Sequence, residues 1–263
     1  MPLDPEFLAV LTLVAYASIA AAVVVANRYR KAPAWDVWLL YCVERIYLPL
    51  MFHWRANRRA PFPEQGAALV IANHRSPVDP LMIWMNHHLS WPSRRVRVIG
   101  FLTAKEYCEL PGVRRITRAV RSIPVERGGS DMGPAREALR RLQNGELVGV
   151  FPEGRINLRA GLLEATPGIA WLALRAQVPV FPVFLHGTPQ KGSMVAPFYT
   201  PSRVRVTFGE PIDLSAYRDR PKSRPVLMEV TRLLMERLAA TGGLDPATVR
   251  VVEREGGRTK NEE

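Results

Sequence analysis

The chain has 263 residues, of which 48% are hydrophobic and 23% are charged, so it can bury one sizeable core and is not an intrinsically disordered protein. Its two cysteines, Cys42 and Cys108, lie far apart and outside any Cys-x-x-Cys spacing, which excludes a disulfide framework and a cysteine zinc site. The 36 lysines and arginines outnumber the 24 acidic residues, and the formal net charge of +12 favours nucleic acid, an anionic membrane or a phosphorylated small molecule as a partner.

The first element is an uncharged apolar segment, residues 7–26. As a helix it would be about 30 Å long, which matches the hydrocarbon thickness of a bilayer. Acidic residues precede it and Arg28 and Arg30 follow it, the reverse of a secretory signal. By the positive-inside rule, the chain after Asn27 lies in the cytoplasm. We expect a membrane helix, either spanning or shallowly inserted; a buried helix of a soluble core is the alternative.

The next segment is apolar and rich in aromatic residues, but Asp36, Glu44 and Arg45 make it too polar to span a membrane. Its aromatic residues are Trp35, Trp38, Tyr41, Tyr47 and Trp54. Because such rings favour the headgroup region, we expect a helix lying in the cytoplasmic leaflet, followed by a basic stretch at 55–59 that anionic lipid would bind. Ordinary core packing is the alternative.

From residue 67 onward, short apolar runs alternate with helical patterns. The candidate strands are 67–72, 96–102, 119–125, 146–151, 179–185 and 203–208, and capped helices are expected over 131–145 and 223–241. This alternation predicts an α/β fold with a layered central sheet, mostly parallel or mixed, flanked by helices and preceded by an N-terminal membrane-associated helical pair. We divide the chain into a membrane-anchoring segment (1–60), an α/β domain (61–245) and a charged tail (246–263).

The first of these strands runs into a turn that carries a histidine and an aspartate. The residues are Asn73-His74-Arg75-Ser76-Pro77-Val78-Asp79. Pro77 disfavours helix at the residue before it, so His74 lies on a turn and the helix begins after it. Asp79 can then face the imidazole and make its other nitrogen more basic, as a general base for a hydroxyl requires. The alternative is a Ser-x-x-Asp helix cap beside an ordinary loop histidine.

A second strand runs into Phe151-Pro152-Glu153-Gly154-Arg155. Here Glu153 can hydrogen-bond an acceptor hydroxyl, Gly154 permits close approach of a backbone, and Arg155 can contact a phosphate. The alternative is a tight turn with a solvated ion pair.

Four blocks in order extend these two motifs. They are 73–79, then Lys105 to Ser122-Ile123-Pro124-Val125-Glu126-Arg127, then 151–155, then Val178-Pro179-Val180-Phe181-Pro182-Val183. On these blocks the chain, from residue 67 to about 212, resembles the glycerolipid acyltransferase superfamily and, within it, the 1-acylglycerol-3-phosphate acyltransferases. The resemblance implies transfer of a fatty acyl chain from acyl-CoA or acyl-carrier protein to the lysophospholipid hydroxyl, giving phosphatidic acid in phospholipid biosynthesis. It implies His74 as the base, Asp79 as its partner, and Arg127 with the Glu153 block as the site for the acceptor phosphate.

Two positions depart from the family pattern. Arg121 stands where the second block usually has glycine, and the third block continues Gly154-Arg155-Ile156-Asn157 instead of Gly-Thr-Arg. An arginine directly after the glycine also resembles the branch that reacylates lysophosphatidylethanolamine. Another lysolipid acceptor, including an ornithine-lipid or mannoside precursor, is therefore the second interpretation. A membrane-tethered binder of anionic ligands without enzymatic activity is the third, and it leaves the four blocks unexplained.

No acyl-enzyme is required, because neither cysteine has a neighbouring base in sequence and there is no Gly-x-Ser-x-Gly elbow. The remaining histidines lack ligand spacing, so we expect no metal and no cofactor besides the acyl donor. Lys105 and the arginines at 114–121 are further candidates for binding donor or acceptor phosphates, or form a solvated face. Expected partners are the lysophospholipid, acyl-CoA or acyl-carrier protein and an anionic membrane surface, not nucleic acid. The expected location is the cytoplasmic membrane, with the catalytic domain on the cytoplasmic face.

Overall fold

A long apolar helix, α1, opens the computed structural model. The residues that the structure describes are 5–31, 34–89, 96–126 and 132–251. Helix α1 runs over Pro5–Lys31, and its window Ala9–Ala26 is long and apolar enough to cross a membrane, with none of its residues buried. This exposure contradicts the interpretation of the segment as a buried core helix and favours membrane association.

Helix α2, Trp35–Phe52, has two apolar faces. One face packs into the core and consists of Val37, Tyr41, Glu44, Leu48 and Phe52. The other is a solvent-exposed stripe, called the α2 stripe below, and consists of Trp35, Leu39, Val43, Ile46 and Leu50. The two interpretations of this segment therefore describe two faces of one helix, since one face packs in the core while the other remains available to a membrane.

Within the described residues, seven strands form one sheet. They are β1 (Arg55–Ala56), β2 (Ala68–Ala72), β3 (Ile99–Ala104), β4 (Ile123–Val125), β5 (Leu147–Val150), β6 (Val180–His186) and β7 (Arg205–Phe208). The order across the sheet is β1-β7-β6-β2-β5-β3-β4, and every neighbouring pair is parallel except β6 with β7. This mostly parallel, mixed sheet confirms the predicted α/β class.

Helices cover both faces of the sheet. Those after α2 are α3 (Asp79–Leu89), α4 (Lys105–Glu109), α5 (Val113–Ala119), α6 (Gly133–Gln143), α7 (Gly168–Ala176) and α8 (Arg224–Thr241). Side chains alternate along β2, so Val70 and Ala72 pack with α2 and α3, whereas Leu69 and Ile71 pack with α6, α7 and α8. All five residues of β2 are buried, which places this strand at the centre of the fold.

Some predicted boundaries are wrong. The segment 119–125 is not one strand: α5 continues to Ala119, the chain turns at Arg121, and β4 begins only at Ile123. Strand β3 begins at Ile99, three residues later than expected. Strand β1 lies inside the segment assigned to the membrane anchor, and it pairs with β7. The domain limits remain predictions, and residues 252–263 of the proposed tail lie outside the described residues.

Candidate active site

The two predicted motifs meet at one edge of the sheet. Strands β2 and β5 are parallel neighbours, with Ile71 paired to Val150. The loops that follow them therefore leave the sheet side by side, and they carry His74 and Glu153. This is the carboxyl edge of a parallel sheet, where α/β proteins bind their ligands.

The imidazole of His74 is held by Asp79. The His74 Nδ1 atom lies 2.9 Å from Asp79 Oδ2, and the aspartate side chain is fully buried while 18% of the histidine side chain is exposed. Because an ionised carboxylate only accepts, Nδ1 carries the proton in the neutral ring and Nε2 keeps its lone pair. The predicted histidine and aspartate pair is thus present, in a tautomer suited to a base.

The same aspartate oxygen also fixes the loop. Asp79 Oδ2 accepts the backbone N–H groups of Arg75 and Ser76 at 2.6 and 2.7 Å. The Ser76 hydroxyl donates to the carbonyl of Pro189 at 2.7 Å, so the Ser-x-x-Asp alternative is present only in its carboxylate half, in which Asp79 accepts the Ser76 N–H. Asp79 therefore holds the turn and the imidazole together.

A stack of aromatic rings sets the orientation of the imidazole. The Phe151 ring lies parallel to the His74 ring, with centroids 4.0 Å apart and planes at 11°. Phe101 stacks on the other side of Phe151 at 5.0 Å. Gly149 makes room for this stack, since a Cβ atom there would lie 2.4 Å from the Phe101 ring. One face of the imidazole is thereby closed to water.

Glu153 lies beside His74, as predicted, but its carboxylate is bonded to backbone. Oε1 accepts the N–H of His74 at 2.9 Å and Oε2 accepts the N–H of Leu163 at 2.8 Å. Burial raises the pKa of Glu153, and the two N–H bonds oppose that rise. The geometry makes Glu153 a group that positions the loop carrying His74, while its contact with an acceptor hydroxyl stays a prediction.

The residues after Glu153 form a turn. Gly154 has φ 66°, a left-handed conformation that glycine adopts readily. Arg155 is exposed, and its guanidinium forms no ion pair or hydrogen bond with another described residue. It is therefore available to an anionic ligand at this edge.

Two asparagines support the catalytic loop, and the sequence had assigned them no role. The Asn157 N–H donates to the carbonyl of His74 at 2.7 Å, and the Asn157 side chain is buried and bonded within its own loop. Asn73 bonds both backbone groups of Leu185 through its amide, which ties the end of β2 to β6. A buried asparagine in a loop is the only signal that the sequence carried for either.

The proposed phosphate ligands are spread along the same edge. Lys105 follows β3 and is exposed, and its Nζ lies 2.8 Å from Glu126 Oε1, an ion pair that raises the pKa of Lys105. Glu126 follows β4, the parallel neighbour of β3. Arg127 comes next in the chain but lies outside the described residues, so its predicted contact with phosphate has no structural test.

Residues 54–186 match the acyltransferase family. Uncharacterized proteins from Mycobacterium tuberculosis and Mycobacterium bovis are each 28% identical in an alignment 234 residues long that covers 75% of this chain and 63% of theirs. The chain thus spans less than two thirds of those relatives. A solved structure, the 1-acyl-sn-glycerophosphate (LPA) acyltransferase PlsC from Thermotoga maritima, has the same fold with a TM-score of 0.55 at 20% identity, covering 86% of this chain and 88% of that chain. Because the family match extends over half of the sequence and includes both loops of the site, this chain belongs to the acyltransferase family.

Proposed function

We propose that this acyltransferase moves a fatty acyl chain from acyl-CoA or acyl-carrier protein to the free hydroxyl of 1-acylglycerol-3-phosphate, giving phosphatidic acid for phospholipid biosynthesis. The observation that carries the proposal is the imidazole of His74, which a buried aspartate holds with Nε2 free at a partly exposed sheet edge. A base so placed suits removal of a proton from an alcohol.

The proposed reaction is direct transfer. His74 Nε2 takes the proton of the acceptor hydroxyl as its oxygen attacks the thioester carbonyl carbon, forming a tetrahedral oxyanion. The oxyanion collapses, the carbon–sulfur bond breaks, and the thiolate takes the proton back from the imidazolium. Asp79 stabilises the imidazolium between these steps by accepting from Nδ1. No covalent bond to the enzyme forms.

The acceptor phosphate would bind along the same edge. Arg155 and Gly154 follow β5 and Lys105 follows β3, so three of the four proposed binding residues leave neighbouring strands. Arg127 follows β4 by two residues. The phosphate of a lysophospholipid is separated from the hydroxyl by only a few bonds, so long side chains on the strand ends beside β2 are suited to bind it.

The membrane elements fit a lipid substrate. The exposed apolar surface of α1 and the α2 stripe offer two regions for contact with a bilayer. The location that we propose is the cytoplasmic membrane, with the α/β domain on the cytoplasmic face, where acyl donors are available.

The decisive experiment is acyl transfer from one labelled acyl-CoA to a panel of acceptors. We expect the wild type to acylate 1-acylglycerol-3-phosphate and His74→Ala to lose about 10²–10⁴-fold in kcat. The double variant Cys42→Ser/Cys108→Ser is the control, and its activity should persist because no thiol takes part. Retained turnover in His74→Ala would refute the base assignment. If the enzyme prefers lysophosphatidylethanolamine or another lysolipid, the proposed acceptor is wrong and the proposed transfer mechanism still holds.

The phosphate site has its own test. We expect Arg127→Ala and Arg155→Gln to raise the KM for the acceptor more than they lower kcat, because they remove ground-state binding of the phosphate. Arg175→Gln, an equally exposed arginine on α7, is the matched control and should leave the KM unchanged. An unchanged KM in both test variants would exclude these arginines from the acceptor site.

A further inference from the structure

A concave site lies beside the loop that connects α2 to the sheet. It is a cavity of about 400 Å³ lined by His53, Arg55, Arg203, Val204 and Arg205. Small-molecule sites have volumes of this order. None of these residues belongs to the blocks that define the acyltransferase site, so the cavity calls for an explanation of its own.

No acidic side chain in the described part of the chain neutralises the arginine charges in the cavity. Arg55, Arg203 and Arg205 are exposed, and within the described part of the chain none of their guanidinium groups forms an ion pair or a hydrogen bond. The nearby Arg58, by contrast, pairs with Glu210. Three like charges around one small concavity repel each other until an anion neutralises them, and guanidinium groups bind phosphate in particular.

The backbone that carries these arginines is held firmly. The Arg55 N–H donates to the carbonyl of Val204 and the Val204 N–H donates to the carbonyl of Phe52, both at 2.9 Å. His53 ends α2 in a left-handed conformation with φ 40°. Gly187 packs so closely that a Cβ atom there would lie 2.1 Å from the Arg203 carbonyl oxygen. The arginine positions are therefore set by the fold before any ligand arrives.

The cavity opens at the same sheet edge as His74. Strand β7 is antiparallel to β6, and Arg205 at its start pairs with His186 at the end of β6. Strand β6 is parallel to β2, so these two strands end at the same edge. In the strand order, β7 is two positions from β2 and β1 is three, which corresponds to about 10 and about 14 Å.

Positive charge continues from the cavity to the catalytic loop. Burial lowers the pKa of His186, and so do the charges of Arg205 and Arg75. Arg75 directly follows His74. A ligand with phosphates in the cavity could therefore extend across this cationic edge to the reacting atoms.

The position of the cavity relative to β2 indicates which substrate phosphate it binds. The phosphate of the acceptor is only a few bonds from its reacting hydroxyl, and its proposed ligands follow β5, β3 and β4, on the other side of β2 from the cavity. In acyl-CoA, by contrast, the long pantetheine arm separates the thioester from the nucleotide phosphates. We propose that the cavity formed by Arg55, Arg203 and Arg205 binds the nucleotide phosphates of the acyl-CoA donor; this rests on the proposed function and places the donor across β6 from His74.

The direct test is binding of CoA itself to the full chain, measured by calorimetry. We expect Arg55→Gln and Arg205→Gln each to raise the Kd for CoA about 10-fold and the double variant about 100-fold, because each loses a charge-assisted contact. Arg237→Gln is the matched control. Arg237 is exposed near the end of α8, and this end of the helix lies beside Gly209, past the end of β7 opposite to the cavity. The Arg237→Gln variant should bind CoA as the wild type does. Unchanged CoA affinity in the double variant overturns the proposal.

Kinetics provide the second measurement. In the double variant the KM for acyl-CoA should rise by a similar factor, whereas the KM for the same acyl chain on N-acetylcysteamine, which has no phosphate, should stay the same. A rise with both donors would mean a general disturbance and would overturn the proposal. If the double variant does not fold, Arg203→Gln is the replacement in both measurements.

Other outcomes assign the cavity elsewhere. An increased KM for acyl-carrier protein alone would make it a docking site for that acidic protein, and weaker binding to anionic vesicles alone would make it a membrane contact; both reject the CoA site. The proposed acceptor is tested separately. If the double variant loses CoA affinity but the wild type does not acylate 1-acylglycerol-3-phosphate, the CoA site stands and the proposed acceptor is rejected. If the wild type acylates 1-acylglycerol-3-phosphate but the double variant binds CoA normally, the acceptor stands and the CoA site is rejected.

Discussion

Asp79 holds both the imidazole and the loop of the site, because one of its oxygens accepts from the imidazole and from two backbone N–H groups. In Asp79→Asn the amide oxygen can still accept from the loop, but its neutral charge no longer stabilises an imidazolium. We expect kcat to fall about 10²–10³-fold with little change in thermal midpoint. A kcat close to that of the wild type would mean that Asp79 only shapes the loop.

Gly149 affects the His74 imidazole indirectly, through the stacked rings of Phe101 and Phe151. In Gly149→Ala the new methyl group would overlap the Phe101 ring, and we expect a loss of stability of about 1–3 kcal/mol together with lower kcat as the stack on His74 shifts. Phe101→Leu removes the ring that is overlapped. The double variant should therefore recover part of both losses, measured by thermal unfolding and by acyl transfer. Simple additivity of the two single variants would argue against coupling through the stack.

Arg121 departs from the family pattern, which has glycine here, and its φ of 53° lies in the left-handed region that favours glycine. A residue with a Cβ atom is strained in this left-handed conformation, whereas glycine is not. We expect Arg121→Gly to be more stable than Arg121→Ala by about 1 kcal/mol, since both lose the ion pair with Glu146 and only one relieves the backbone. Equal midpoints of thermal unfolding for the two variants would show that the turn tolerates a side chain.

The sequence predicted the parts of the site that depend on neighbours in the chain. His74 and Asp79 are five residues apart around a proline, so local geometry alone brings them together. The contact of Glu153 with the His74 N–H requires β2 and β5 to be parallel neighbours, which no local pattern states. The Asn157 contact and the space at Gly149 likewise depend on tertiary packing.

Helix α2 contains a buried acid that belongs to no described hydrogen bond. Glu44 lies on the core face with 5% of its surface exposed, and neither carboxylate oxygen has a partner among the described residues. Burial raises the pKa of Glu44 well above its ordinary value. At a pH below the ordinary pKa of glutamate, Glu44 is neutral in both the folded and the unfolded protein. As the pH rises above that value, the carboxyl ionises in the unfolded protein but not in the fold, so the folded state loses stability relative to the unfolded state.

This gives a prediction for α2. We expect Glu44→Leu to be more stable than the wild type by about 1–3 kcal/mol at pH 8, because it removes an unsatisfied buried polar group, and the advantage should shrink toward pH 4.5. Thermal midpoints measured across this pH range would test it. Glu64→Gln, an exposed acid, is the control and should shift little at any pH. A difference between Glu44→Leu and the wild type that does not vary with pH would mean that burial in the fold does not raise the pKa of Glu44.

The longer elements were predictable and the shorter ones were not. Strands β2, β5 and β6 and helices α6 and α8 carry apolar periods and clear end signals, and the structure has them within two residues of the predicted bounds. Strand β1 has two residues and α4 has five, which is too short for a period to be recognised. The error at 119–125 has the same cause, because a short helix and a short strand read together as one apolar run.

At the scale of the whole molecule, two apolar surfaces are exposed in the described part of the chain. No residue in the apolar window of α1 is buried, and the α2 stripe lies on the outer face of a helix whose inner face packs against the α/β core. Burying a leucine or isoleucine side chain is worth about 1.5–3 kcal/mol, so each surface contributes substantially to partition into a bilayer. Together they would hold the sheet edge and its site close to a lipid substrate.

The two surfaces should therefore act additively. We expect deletion of residues 1–31 to release only part of the protein from vesicles, because the α2 stripe remains. Adding Leu39→Ser, Ile46→Ser and Leu50→Ser should lower the remaining partition at least about 1,000-fold, since three exposed apolar side chains are lost. Sedimentation with vesicles measures the partition, and turnover of short-chain, water-soluble substrates checks that the α/β domain is intact. Full membrane binding after both changes would place the contact elsewhere on the molecule.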